Sequence, residues 1–259
     1  MNSIICKSVK ELLSALNADT SIQLASGHYD ISDIVLPYDK NVFYTDDGIG
    51  PNGDRELILR NISDMEIHGE DSVRVTSRYQ YANVITFVDC SNIILDNVIF
   101  GHFPEMGGCR GGVLVFINCQ NITIKNCTLF GCGTIGLACV NCKSVYVDQS
   151  VITKCNSEIL YLDDSEECIF TNTKMIQNET RVLKILHCDQ IVFRNCSIKE
   201  NNLSEWDNGT SFLFTIANSC GSVIVDASEI DIPEGHLVNR AERLTLYDNN
   251  KITDDFIYG

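Results

Sequence analysis

Apolar residues recur along this chain in short alternating runs broken by Asn, Asp, Gly and Ser. The runs return in register as CSNIILDNVIF, CQNITIKNCTLF, CKSVYVDQSVI, SEECIFTNTKM and CDQIVFRNCSI. Their first residues, Cys90, Cys119, Cys142, Ser165 and Cys188, lie 29, 23, 23 and 23 residues apart. A repeat of this length marks a solenoid. No helical stretch stands between the runs, so βαβ units, whose crossovers take about a dozen residues or more, are excluded. The pattern predicts an all-β chain: a single-stranded parallel β-helix with each turn stacked on the one below. It is read as one domain over residues 1–259, with regular turns over 56–250.

Parity within the runs assigns side chains to faces. Leu114, Leu137, Leu160 and Leu183 recur every 23 residues and mark an inward column. Phe116, Cys139, Leu162 and Ile185 form a second inward column two residues on, as the period of a strand requires. The positions between them face outward: Val115, Ala138, Tyr161 and Lys184, then Ile117, Val140, Asp163 and Leu186. A further column holds Asn97, Asn126, Gln149, Asn172 and Asn195. Stacked side-chain amides there are expected to hydrogen-bond along the axis, at a corner whose left-handed backbone Asn tolerates. The N-x-S/T matches at Asn126 and Asn195 fall in this column and are read as turn chemistry rather than glycosylation.

Ahead of the repeats, Ser8 to Asn17 reads as a short amphipathic helix. Ser8 and Glu11 have capping-box spacing, and Val9, Leu12, Leu13 and Leu16 form its apolar stripe. Placed within residues 1–20, it is expected to cap the first rung of the core. SIQLASGHYDIS predicts two strands about a Ser-Gly turn, and residues 38–55, rich in Asp, Gly and Asn, predict a long loop.

Composition narrows the partners. A formal charge of −16 argues against nucleic acid, whose phosphates demand a Lys/Arg surface. No run approaches the 18 or so apolar residues of a membrane span, and the N-terminus lacks a secretory pattern, so a cytoplasmic location is expected. The 13 cysteines fall mostly on repeat positions and are read as reduced, small, buried hydrophobes. Cys139 and Cys142 form a CxxC, yet a zinc site needs a second ligand pair and both fit strand columns. No metal site is assigned.

The amide column, the stacked aliphatic columns and the 23-residue turn resemble the right-handed parallel β-helix proteins of the pectin-lyase-like superfamily. The segment GHFPEMGGCRGGVL, followed by LFGCGTIGL, is similar to one recurring in bacterial β-helix proteins of unassigned role. The resemblance implies a right-handed coil and a carbohydrate partner. It guarantees no chemistry: the Gly-His-Gly and Arg-x-Lys segments of polygalacturonase-like enzymes are missing, and no clustered acidic calcium ligands of the pectate-lyase kind can be assembled. No cofactor is expected from the residues, with calcium left open.

Departures from the period place the candidate site. The interval Cys90–Cys119 carries extra residues around 101–111, and Cys188–Cys220 carries extra residues around 200–211. Both insertions leave the same corner, and insertions in solenoids cluster on the binding face. The groove between them is expected to bind a carbohydrate chain, with the outward columns as its floor. Lys184 and Asp163 are the candidate catalytic pair, Lys184 as base or electrostatic stabiliser, and Glu158 and Arg181 flank them. Asp163–Asp164 also suits acid/base hydrolysis. Tyr161, His102, Glu105, Arg110, Trp206 and Asp207 are the candidate substrate-binding residues, Tyr161 and Trp206 as sugar platforms. The plainer alternatives are a solvated Lys184–Asp163 pair, a Trp206 that pins its own loop, and a His102 that serves a turn.

A competing function is also legible. Outward positions around Val113, Val115, Ile117, Val140, Ile159, Val182 and Leu186 are apolar for a solvent-facing sheet, which marks an interface. On that reading the chain is a non-catalytic interaction module or a homo-oligomer.

Overall fold

The computed structural model describes residues 1–32, 34, 39–45, 53–103, 110–131, 134–180, 182–201, 212–232 and 236–254. Within them the chain coils through three sheets of ten, nine and nine strands around one core. A representative turn runs Leu114–Ile117 in the third sheet, Gln120–Lys125 in the first and Thr128–Phe130 in the second. In the regular turns each strand pairs in parallel with its equivalent one turn on, so Leu114 faces Leu137, Leu137 faces Leu160 and Leu160 faces Leu183. These four leucines and the Phe116, Cys139, Leu162, Ile185 column are fully buried. Identical positions stack like on like: the Phe87 and Phe116 rings lie 4.7 Å apart and nearly parallel, as do Phe170 and Phe193 at 4.9 Å. Replacing Leu160 by Ala would open a void in the middle of such a column. The expected loss is about 3 kcal/mol, read as a lower denaturant midpoint with an unchanged slope.

The corners are built from left-handed residues, a conformation that Asn and Asp tolerate best. The predicted amide column is there, with φ between 47° and 56° at Asn97, Asn126, Gln149, Asn172 and Asn195. Its hydrogen bonds are less uniform than expected. Asn195 donates to Asn172, but Asn126 donates to the carboxylate of Asp96 and Asn172 to that of Asp148. Two further ladders bracket the first sheet's leading corner. Asn141 donates to Asn118 and Asn118 to Asp89; Asn121 donates to Asn92 and Asn92 to Asp64.

The cysteines behave as a small residue with a weak donor. Cys90, Cys119, Cys142 and Cys188 are buried, each with its Sγ donating to a backbone carbonyl. Ser165 fills the same column and accepts from the Cys142 amide at 3.0 Å. The Cys139 and Cys142 of the CxxC belong to different columns, and the 11 described cysteines are free thiols. The bond to Cys142, with desolvation, pushes the Cys119 thiol up to about 12; the Cys142 thiol, lowered by its bond to Cys119 but raised by its bond to Cys139 and by burial, also reaches about 12.

The ends depart from the sequence reading. The helix is Val9–Ala15, capped by Ser8, with Leu12, Leu13 and Leu16 in the core. It is preceded by a strand, Asn2–Cys6, paired with Thr20–Leu24 at the edge of the first sheet. Four of that strand's five residues are exposed, which erased the alternation that would have announced it. The long loop also holds a strand, Val42–Tyr44, antiparallel to Leu57–Arg60. An edge position needs pairing on one side only, so it leaves little period to read.

Candidate functional site

The outward columns of the third sheet run as predicted. Val115, Ala138, Tyr161 and Lys184 are Cα partners in sequence, as are Ile117, Val140, Asp163 and Leu186. All are half-buried except Ala138, which is buried. An in-register parallel sheet stacks equal side chains on each other, so even an outer column shields much of itself. Val113 and Ile159 do not belong to this face: both are fully buried and point inward. The apolar outer patch is smaller than expected by those two residues.

On the turns of Glu158–Asp163 and Val182–Leu186, charged and aromatic groups take over from the aliphatic ones. Lys184 Nζ sits 5.3 Å from the centre of the Tyr161 ring and 3.7 Å from a Glu158 carboxylate oxygen. The carboxylate beside Lys184 is therefore Glu158, not Asp163, because Glu158 precedes Tyr161 on the neighbouring strand and reaches across to it. Asp163 is committed elsewhere. One of its oxygens accepts from the Tyr161 hydroxyl at 3.2 Å and the other from His187 Nδ1 at 2.8 Å. Asp163 and Asp164 hold the exposed His187 imidazole above its usual range, first through that hydrogen bond and then through their charge. Partial burial of the ring and then the charge of the same carboxylate raise the Tyr161 hydroxyl. Ligand atoms of Asp163, Asp164 and His187 lie within 4.8 Å of one another. Calcium prefers six to eight oxygens, and a cluster of two carboxylates with an imidazole already bonded to one of them does not match that preference.

His187 is the residue that the sequence reading missed. It occupies the corner position just before the repeat cysteine, in the left-handed backbone, with φ 53°. Asp89, Asn118, Asn141 and Asp164 hold the same position on earlier turns. An imidazole in a column of short amides and carboxylates was the available signal.

The remaining candidates are dispersed. His102 is 1% exposed, and its Nε2 donates to the Ala82 carbonyl at 2.9 Å. It is not a groove residue, because its strand, Ile99–His102, turns that side chain beneath the backbone entering the third sheet. Burial pushes its imidazole below the usual range. Arg110 remains at the surface over Tyr81, 5.9 Å from the ring centre. It lies three turns below Lys184, about 14 Å along the axis. Glu105, Trp206, Asp207 and Arg181 lie outside the described residues. The two insertions do leave one corner: the strands Ile99–His102 and Ser197–Lys199 share the second sheet, four turns apart, and both lead into the third.

A buried polar knot near the first insertion was also missed. Asp54 accepts from the Tyr81 amide, and Glu56 accepts from Asn83 and Thr86. Asn83 in turn accepts from the Gly112 amide at 2.7 Å. Asp54, Glu56, Asn83 and Gly112 lie just ahead of the strands Leu57–Arg60, Ile85–Val88 and Leu114–Ile117, while Thr86 is the outward partner of Val115 one turn earlier.

Residues 61–251 match the family described as right handed beta helix region. The chain belongs to the right-handed β-helix family. Solved structures agree on the fold of this β-helix protein. A pectate lyase from Paenibacillus sp. 0602 superposes with a TM-score of 0.65 at 9% identity, covering 88% of this chain and 70% of that one. A pectate lyase from Xanthomonas campestris gives 0.58 at 11% identity, covering 100% and 82%. A Geobacillus virus E2 protein gives 0.65 at 10% identity; this chain, 89% covered, spans 46% of its length. No curated protein sequence matches the β-helix chain.

Proposed function

We propose that the outer face of the third sheet binds and processes a carbohydrate chain. The observation that carries this reading is the Glu158–Lys184–Tyr161–Asp163–His187 chain of contacts on two adjacent turns, beside the aliphatic turns of Val115, Ile117, Ala138 and Val140. A run of stacked aliphatics beside a polar, titratable group suits a sugar polymer, whose rings offer apolar faces and hydroxyl edges. Structures of the same fold support it: they include pectate lyases and a pectin methylesterase in complex with a hexasaccharide. Tyr161 serves as the platform for a sugar ring and Trp206, from the second insertion, as another. Lys184, a cation between a carboxylate and a ring face, stabilises negative charge that develops on the substrate. Asp163 orients Tyr161 and His187. Calcium belongs in one arm of any assay.

Tyr161→Ala should weaken oligosaccharide binding about tenfold, equivalent to ~1.4 kcal/mol, by titration calorimetry. Unchanged affinity would remove Tyr161 from the site. The competing reading, an assembly module, rests on half-buried Val115, Ile117, Val140 and Leu186. The carbohydrate reading expects a monomer in sedimentation, with this face open. A stable oligomer that Val115→Asp dissociates without unfolding would favour the assembly reading instead.

A further inference from the structure

We propose that His187 is the general acid of this site, protonating the oxygen that leaves when a glycosidic bond is cut. The inference rests on the carbohydrate-processing reading and adds the group that its chemistry lacks. Lys184 is engaged by Glu158 and the Tyr161 ring, and both Asp163 oxygens are occupied by His187 and Tyr161. His187 differs in its second nitrogen. Nδ1 donates to Asp163, which fixes the ring, while more than half of the side chain is exposed at 54%. Among the described residues Nε2 has no such carboxylate contact, which leaves it to face a ligand on the sheet. A carboxylate behind an imidazole holds it in one orientation and stabilises its protonated form.

Two other histidines set the contrast. His68 has carboxylates on both nitrogens, Glu66 at 3.0 Å and Asp96 at 3.2 Å. His102 is buried. Neither offers a ring nitrogen held ready at the polar group of the third sheet.

The step balances in either mode of cleavage. The C–O bond breaks, its electron pair goes to the departing oxygen, and the Nε2 proton of the imidazolium follows. In hydrolysis a water molecule adds to the sugar carbon and the proton it loses restores His187. In elimination the proton comes from substrate carbon by way of solvent, and the electron pair of that C–H bond forms the new double bond.

The fold itself supplies a clean variant. Asn118 and Asn141 occupy the His187 column on earlier turns, with φ 55° and 52°. His187→Asn therefore keeps the corner while removing the acid. A structural role predicts no loss of rate from it. A general acid predicts a fall in kcat of about 100-fold or more, with KM little changed and an unfolding midpoint no lower than that of the wild type. Wild type, His187→Asn and Lys184→Ala are to be compared on the polysaccharide that wild type cuts best. Retained turnover in His187→Asn beside a dead Lys184→Ala overturns this inference alone. A wild type that cuts nothing overturns the carbohydrate-processing reading and this inference with it.

Discussion

Raising the pH above 9 should unfold this protein steeply, because its core is lined with thiols. Burial pushes Cys127, Cys155 and Cys188 up to about 12; the bond to Cys142 with burial does the same for Cys119, and the bond to Cys139 with burial does so for Cys142 against the lowering bond from Cys119; burial brings Cys196 to about 11. In the unfolded chain a thiol titrates near ~8.5. Between these values the unfolded chain releases protons that the folded one retains, so stability is intact below about pH 8.5 and falls as pH rises towards 12. Each such thiol withdraws about 1.4 kcal/mol per pH unit, and six withdraw about 8. Domains hold only about 5–15 kcal/mol in reserve, so the circular-dichroism transition is expected near pH 10. Serine already fills one repeat position at Ser165, where it bonds to the Cys142 amide and to the carbonyls of Cys139 and Asp163. A Cys119→Ser, Cys142→Ser, Cys188→Ser triple variant should move that transition upward in pH by half a unit or more. An unmoved transition would show that the thiols do not set it.

The second large effect belongs to the site. Lys184→Ala should lower kcat by about 100- to 1,000-fold, the range seen when one preorganised charge stabiliser is removed, or ~3–4 kcal/mol. Lys184 points outward and is 35% exposed, so its loss opens no core void. Folding stability should change by less than about 1 kcal/mol, which separates a chemical defect from a structural one. Lys184→Arg keeps the charge but spreads it over a planar fork, and should recover part of the rate. Equal turnover in wild type and Lys184→Ala would deny Lys184 any chemical part.

The repeat was legible because stacked turns bury the same positions. Leu114, Leu137, Leu160 and Leu183 share one buried column, and the outward Tyr161, Asp163 and Lys184 followed by parity. Pairings between side chains were less legible. Parity placed Asp163 and Lys184 on one face but left unread that Glu158 reaches Lys184 while Asp163 turns to its own corner. His187 was hidden because a corner column is defined by its backbone, and an imidazole was passed over where amides are the rule. His102 misled for the opposite reason: it borders an insertion in sequence yet lies beneath the surface. Edge elements such as Asn2–Cys6 and Val42–Tyr44 carry no stacked neighbours on one side, and so no period.

The measurement that bears most directly on the central claim is a polysaccharide panel, run with and without calcium. New reducing ends and the ultraviolet signal of unsaturated sugars are scored for wild type and Lys184→Ala side by side. A site on the outer face of the third sheet predicts product from wild type on at least one polymer, lost in the variant. Silence of a correctly folded wild type across the panel would contradict it.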